Sequence, residues 1–195
     1  RVLMDPFDKK TGYKVPVVEA DVVTTSHDHF DHNNIHAVNG NFYHIDQPGT
    51  YTYQDIQITG TLTYHDKVQG TRLGNNIVYC FTVDGIRVCH CGDLGHLLTP
   101  DQISRIGKVD VLLITICGFC AITPAEAVAV RKQLKPVITI PMHYRTRGAG
   151  LFGLFYARVN QFLAATGEPA RQLRELSVDS MNLAQHAGIV VLNYN

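Results

Sequence analysis

The chain of 195 residues carries no formal net charge at pH 7, with 45% hydrophobic and 17% charged residues. That balance excludes a disordered chain and offers no basic face for nucleic acid or an anionic membrane surface. No apolar run approaches the ~20 residues of a membrane-spanning helix, and the length fits one domain, residues 1–195, large enough to bury a core.

The opening stretch RVLMDPFDKK lacks the apolar h-region of a secretory signal. Predicted strands then run RVLMD (1–5), ADVVTTS (20–26), NFYHID (41–46) and TYTYQ (50–54), with a short helix expected over 31–38. IQITGTLTYH (56–65), NNIVYCFTVDG (75–85) and IRVCHCGD (86–93) continue the strand-rich half, the last two joined by the Asp84-Gly85 hairpin signal. TPDQISRI (99–106) and TPAEAVAVRKQLK (123–135) each open on Thr-x-x-Gln/Glu, a capping box, with Pro at the first helical position. Between and after them lie the strands VDVLLITI (109–116) and PVITIPMH (136–143). RTRGAGLFG (145–153) reads as a flexible loop, GLFYARVNQFLAATG (153–167) as a third helix ending at Gly167, and GIVVLNY (188–194) as a last strand. Antiparallel strands followed by alternating strand and helix predict layered sheets with helices outside, an α+β fold.

Five cysteines, Cys80, Cys89, Cys91, Cys117 and Cys120, are an odd number in a chain of ordinary domain size. They read as free thiols in a reducing, cytoplasmic setting rather than as a disulfide framework. Cys117-x-x-Cys120 has a redox motif or half a zinc site as its alternatives.

The chemistry concentrates in SHDHFDH, residues 26–32. In an extended segment His27 and His29 point to the same side, so both imidazoles can reach one metal ion. Asp31 and His32 follow where the chain turns, placed to serve a second ion. These are half-sites, and the strand ends supply completing groups: His65 closes GTLTYH, Asp93 closes RVCHCGD, and His143 closes VITIPMH.

The order HxHxDH, then His, then Gly-Asp, then His resembles the metallo-β-lactamase superfamily. SHDHFDHNN, CHCGDLGH and PMHYRT resemble its L-ascorbate-6-phosphate lactonase-like branch of metal-dependent hydrolases, over about Asp5 to His143. The resemblance implies a four-layer αββα sandwich and two divalent ions, Zn2+ first, with Mn2+ and Fe2+ as the alternatives. By position, His27, His29 and His65 would hold the first metal and Asp31, His32 and His143 the second, with Asp93 bridging. It further implies a metal-bridged hydroxide, with Asp31 orienting it, acting on a small-molecule lactone, amide or phosphodiester bond. An iron-dependent oxidoreductase and a non-catalytic metal-binding relative are the rivals; diiron relatives carry Glu where His29 stands. Family members usually open with a strand and a GH segment ahead of the DP stretch. This chain starts almost at MDPFD, lacking that strand pair, so RVLMD is expected at a sheet edge, covered by residues preceding Arg1 in the natural gene product or by a neighbouring chain.

His96, three residues beyond Asp93, is a candidate proton donor beside the site. Arg72 and Arg145 are candidate hooks for an anionic substrate, since guanidinium binds carboxylate and phosphate bidentately. The expected partner is therefore a small molecule, not nucleic acid or membrane, with a homo-oligomer left open.

Overall fold

The computed structural model describes residues 1–193; Tyr194, the end of the expected terminal strand, and Asn195 lie outside the described residues. In chain order the elements are β1 (Val2–Met4), β2 (Val18–Glu19), β3 (Val22–Thr24), β4 (Val38–Asn39), β5 (Tyr43–Ile45), β6 (Gly49–Tyr53) and β7 (Ile56–Tyr64). They continue as β8 (Asn75–Val83), β9 (Ile86–His90), α1 (Pro100–Ile106), β10 (Val111–Thr115), α2 (Pro124–Leu134), β11 (Ile138–Met142), α3 (Val159–Thr166), β12 (Ala170–Leu173) and β13 (Gly188–Leu192).

β1, β3 and β5 form a small parallel sheet with β3 in the middle, so β1 lies at an edge of it. The large sheet runs β12-β13-β11-β10-β9-β8-β7-β6; β6 to β9 pair antiparallel, and β9 through β12 pair parallel. Asp84 and Gly85 both adopt positive φ at the β8–β9 turn, the backbone of a tight hairpin.

Strand alternation splits the core into layers. On β8, Ile77, Tyr79 and Phe81 pack with Val22 and Ile45 between the two sheets. Val78 and Cys80 face the other way, toward Ile106, Val130 and Phe162 of the three helices. Across the small sheet, Val23 is covered by Leu3, Ile35 and Phe42. The order is the expected αββα sandwich, with a fourth layer thinned to a single 3₁₀ turn, Ile35–Ala37.

Both capping boxes form: Thr99 with Gln102 opens α1, and Thr123 with Glu126 opens α2. Two expected helices are shorter than their patterns. Over 31–38 only the 3₁₀ turn appears, because the Asn34 backbone N–H is taken by Pro6 and Val38 enters β4 to pair with β2. The third helix starts at Val159 rather than Gly153. Ala157 donates its N–H to Cys117 and accepts one from Arg145, so its backbone is spent on tertiary partners. β12 was not anticipated, since ARQL carries no apolar alternation of its own.

Candidate metal centre

The carboxyl ends of β1, β3, β7, β9 and β11 open onto one edge of the sandwich, and each hands over to a polar side chain. Asp5 follows β1, Ser26 and His27 follow β3, His65 follows β7, Asp93 follows β9, and His143 follows β11. Asp5 and His143 both have positive φ, 48° and 52°, a conformation that non-glycine residues adopt at local cost.

Close backbone approach explains the glycines around Asp93. A Cβ at Gly92 would overlap Ser26 and the Asn76 side chain, and one at Gly95 would overlap the His65 backbone. Asn76 fixes the turn: its Oδ1 accepts the Asp93 N–H at 2.9 Å while its Nδ2 donates to Thr63 Oγ1 and the Cys91 carbonyl. CHCGDLGH is therefore a packing motif as much as a chemical one.

All seven expected ligand residues converge. Ligand atoms of His27, His29 and His65 lie within 4.8 Å of one another, and so do those of Asp31, His32 and His143. Asp93 stands between the sets, its Oδ2 3.4 Å from His65 Nε2 and 3.5 Å from His32 Nε2. Its Oδ1 accepts from His143 Nδ1 at 2.6 Å.

Asp5 braces both halves, and sequence reasoning missed it. Its Oδ1 accepts the Ser26 N–H at 2.7 Å; its Oδ2 accepts the Ser26 hydroxyl at 2.6 Å and His32 Nδ1 at 2.7 Å. Because Ser26 Oγ spends its proton on Asp5, it accepts from His27 Nδ1 at 3.0 Å. His27 Nε2 then carries a lone pair, and it is buried with no hydrogen-bond partner. A buried, unpaired acceptor among imidazoles costs free energy unless a cation meets it. The residues fit a metal ion. The one available signal for Asp5 was its place in MDPFD, ahead of the first helix-like turn.

The titration behaviour divides the cluster. Burial, with the charge on His32, pushes His27 down to about 3, and burial with His65 lowers His29. Burial opposes the charge on His32, but Asp93 and Asp5 outweigh it and raise its pKa well above the usual imidazole range. Burial also opposes ionisation of Asp5, yet His90, His32 and Ser26 bring it down to about 2. Against the same burial, His143 and His32 hold Asp93 well below the ordinary carboxylate range.

Two recesses flank the cluster. The larger, about 610 Å³, reaches Asp31, His32 and His143 and is walled by Met4, Leu113, Ile140, Met142 and Leu192. Tyr156 also lines it, edge-on to the His143 ring at 4.9 Å. Its pKa is raised to about 12 by burial and by Asp31 and Asp93, so the hydroxyl keeps its proton at neutral pH. The smaller, about 420 Å³, opens beside His27 and His29.

Three further candidates stand elsewhere. His96 accepts the Tyr64 N–H at 3.1 Å on Nε2 and places Nδ1 2.7 Å from the Leu97 carbonyl, so backbone occupies both ring nitrogens. Arg72 lies in a loop whose four backbone N–H groups converge on Asp66; burial opposes the Asp66 charge, but those bonds hold it far below the ordinary range. Neither Arg72 nor Arg145 lines either recess, and Lys10 and Lys14 are the cations along the larger one. The cysteine expectation needs one correction: Cys117 and Cys120 are disulfide-bonded, while Cys80, Cys89 and Cys91 are free and buried.

The sequence profile of the β-lactamase superfamily domain matches residues 1–143, ending on His143. The chain belongs to the metallo-β-lactamase superfamily. A Thermotoga maritima crystal structure assigned as a Zn-dependent hydrolase of that superfamily superposes with a TM-score of 0.79 at 39% identity, covering 98% of this chain and 88% of that one. A UPF0173 metal-dependent hydrolase of Thermoplasma acidophilum is 28% identical, covering 85% of this chain and 83% of the relative. A Thermococcus kodakarensis protein of the same description is also 28% identical, covering 75% and 78%. Among the described residues no helix is long and apolar enough to cross a membrane.

Proposed function

We propose that the chain is a metal-dependent hydrolase with a dinuclear centre, acting on a lactone, amide or phosphodiester bond of a small, anionic molecule. Metal-dependent hydrolysis is the activity of its named relatives. The L-ascorbate-6-phosphate lactonase-like branch is our finer placement, resting on SHDHFDHNN, CHCGDLGH and PMHYRT. The observation that carries the reading is the pair of three-ligand sets sharing Asp93, with His27 Nε2 buried and unpaired.

His27, His29 and His65 would hold one ion, Asp31, His32 and His143 the other, with zinc the first candidate for this imidazole–carboxylate set. When bound, such a pair supplies an acidified water and an electrophile for developing negative charge. The chain does the rest. Asp5 keeps His32 Nε2 turned inward, and Ser26 does the same for His27. Asp31, 3.6 Å from His32 Nε2 and 3.8 Å from His143 Nε2, is placed to orient the attacking water and take its proton. Tyr156, protonated at neutral pH, is a hydrogen-bond donor lining the larger recess beside His143. Apolar walls there exclude water and seat the body of the substrate, while Lys10 and Lys14 attract its anionic group.

Metal analysis of the purified protein, followed by lactone, phosphodiester and amide panels, tests the reading. Two divalent ions per chain and turnover lost to chelation and restored by Zn2+ or Mn2+ are expected. Stoichiometric redox-active iron, or no metal and no restorable turnover, would overturn it.

A further inference from the structure

The CGFC turn after β10 is not needed by the hydrolytic centre, yet it stands against it. Cys117 is fully buried, Cys120 is half-buried, and Phe119 between them is 72% exposed. The two sulfurs are bonded to each other, and they and a ring nitrogen of His143 all lie within 4.8 Å of one another. Gly118 has φ 80°, which permits the tight turn, and the Cys120 N–H points to Cys117 Sγ at 3.3 Å. Cys80, Cys89 and Cys91 sit apart, in the core beneath the helices.

We propose that Cys117–Cys120 is a thiol-exchangeable pair whose reduced form, with His143, makes a second cation site, thiolate-rich and in competition with the histidine–carboxylate centre for His143. Exposure sets the order of events. A dithiol donor, protein or small molecule, attacks the more accessible Cys120 Sγ as a thiolate. The disulfide breaks, and Cys117 leaves as a thiolate that accepts the Cys120 N–H. The donor's second sulfur then attacks its own sulfur in the mixed disulfide and releases Cys120. The donor departs as a disulfide, having given up two electrons; its two thiol protons pass to Cys117 and Cys120, or to solvent where a cation replaces them. Two thiolates and one imidazole are the donor set of soft-ligand zinc-class sites, with a fourth position left for water.

The test begins with the intact protein reduced by a phosphine, desalted without air, and labelled with maleimide under native conditions. The reduced protein should gain one natively labelled thiol, the accessible Cys120, and two over the untreated protein when labelling is repeated after denaturation, five against three. Co2+ added to a separate, unlabelled portion should give a thiolate-to-metal charge-transfer band in the reduced protein. The band should be absent from the oxidised protein and from the reduced C117S/C120S variant, and lost in His143→Ala at sub-stoichiometric Co2+. Should the double variant not fold, alkylating the reduced wild type with iodoacetamide must abolish the band equally. No gain of thiols, no band on reduction, or a band that survives loss of both sulfurs overturns the proposal. The band reports sulfur ligation alone, so its failure leaves the hydrolase reading standing.

Discussion

The two halves of the candidate centre are built on opposite electrostatic plans. The half of His27, His29 and His65 is three imidazoles, two of them with pKa values lowered chiefly by burial, so their lone pairs are free at neutral pH. The half of Asp31, His32 and His143 has carboxylates against every imidazole, and Asp93 and Asp5 hold a proton on His32 well above the usual range. A cation entering the first half meets ready donors; one entering the second must displace a proton but is repaid by carboxylate charge. The difference teaches that Asp93 and Asp5, which touch both halves directly or through Ser26, couple the two plans.

Removing that coupling should have the largest effect. Asp93→Ala takes away the carboxylate between the sets, and turnover should fall by at least ~10³-fold, the several kcal/mol that metal charge stabilisation supplies. Metal content should fall with it. A variant that keeps two ions and near-native kcat would show that the halves are independent.

Asp5→Asn should act next, through orientation rather than ligation. Loss of the brace on His32 and Ser26 should weaken metal binding by roughly 10–100-fold, the range for groups that orient ligands. Ser26→Ala should weaken it less and in the first half alone, read by competitive titration with a chromophoric chelator. Equal effects of the two variants would break the distinction between the halves.

The pH dependence of the metal-free protein sharpens the same contrast. His27 titrates near 3 when folded against 6.5 ordinarily, so the unfolded chain binds more protons between those values and stability falls as pH falls through the window. Asp5, about 2 against 3.8, adds stability that is full above 3.8 and lost as pH falls toward 2, worth about 2 kcal/mol by the 1.36 kcal/mol-per-unit conversion. His32 has the opposite sign: raised when folded, its contribution is full below 6.5 and lost as pH rises through its folded value. Melting of the apo-protein should therefore peak near neutrality and decline on both sides. A stability still rising at high pH would contradict the protonated His32.

The smallest effect is expected at His96. With both nitrogens on backbone partners, His96→Ala should leave kcat within a few-fold and cost about 1 kcal/mol of stability, the usual worth of a hydrogen bond. A loss of 10²-fold or more, the range of a general acid, would return His96 to the chemistry.

Much of this was written in the chain itself. Period-two alternation on β8, the Asp84-Gly85 turn and the two Thr-Pro capping boxes are local signals, and local backbone preference decides them. HxHxDH named four candidate ligands because residues so close in sequence stay close in space, although the segment bends and turns, with His32 N–H on the His29 carbonyl, rather than running extended. What lies far apart in sequence had to wait for the fold. Asp5 reaches His32 across 27 positions, Asp93 reaches His143 across 50, and Cys117 meets the same His143 only because β10 and β11 pair in parallel with Thr115 beside Met142. His96 carries the right chemistry in the right stretch of sequence, yet the backbone of Tyr64 and Leu97 occupies both its ring nitrogens. The third helix begins only at Val159 for the same reason: backbone hydrogen bonds of Ala157 to the loop residues Cys117 and Arg145 replace those of a further turn.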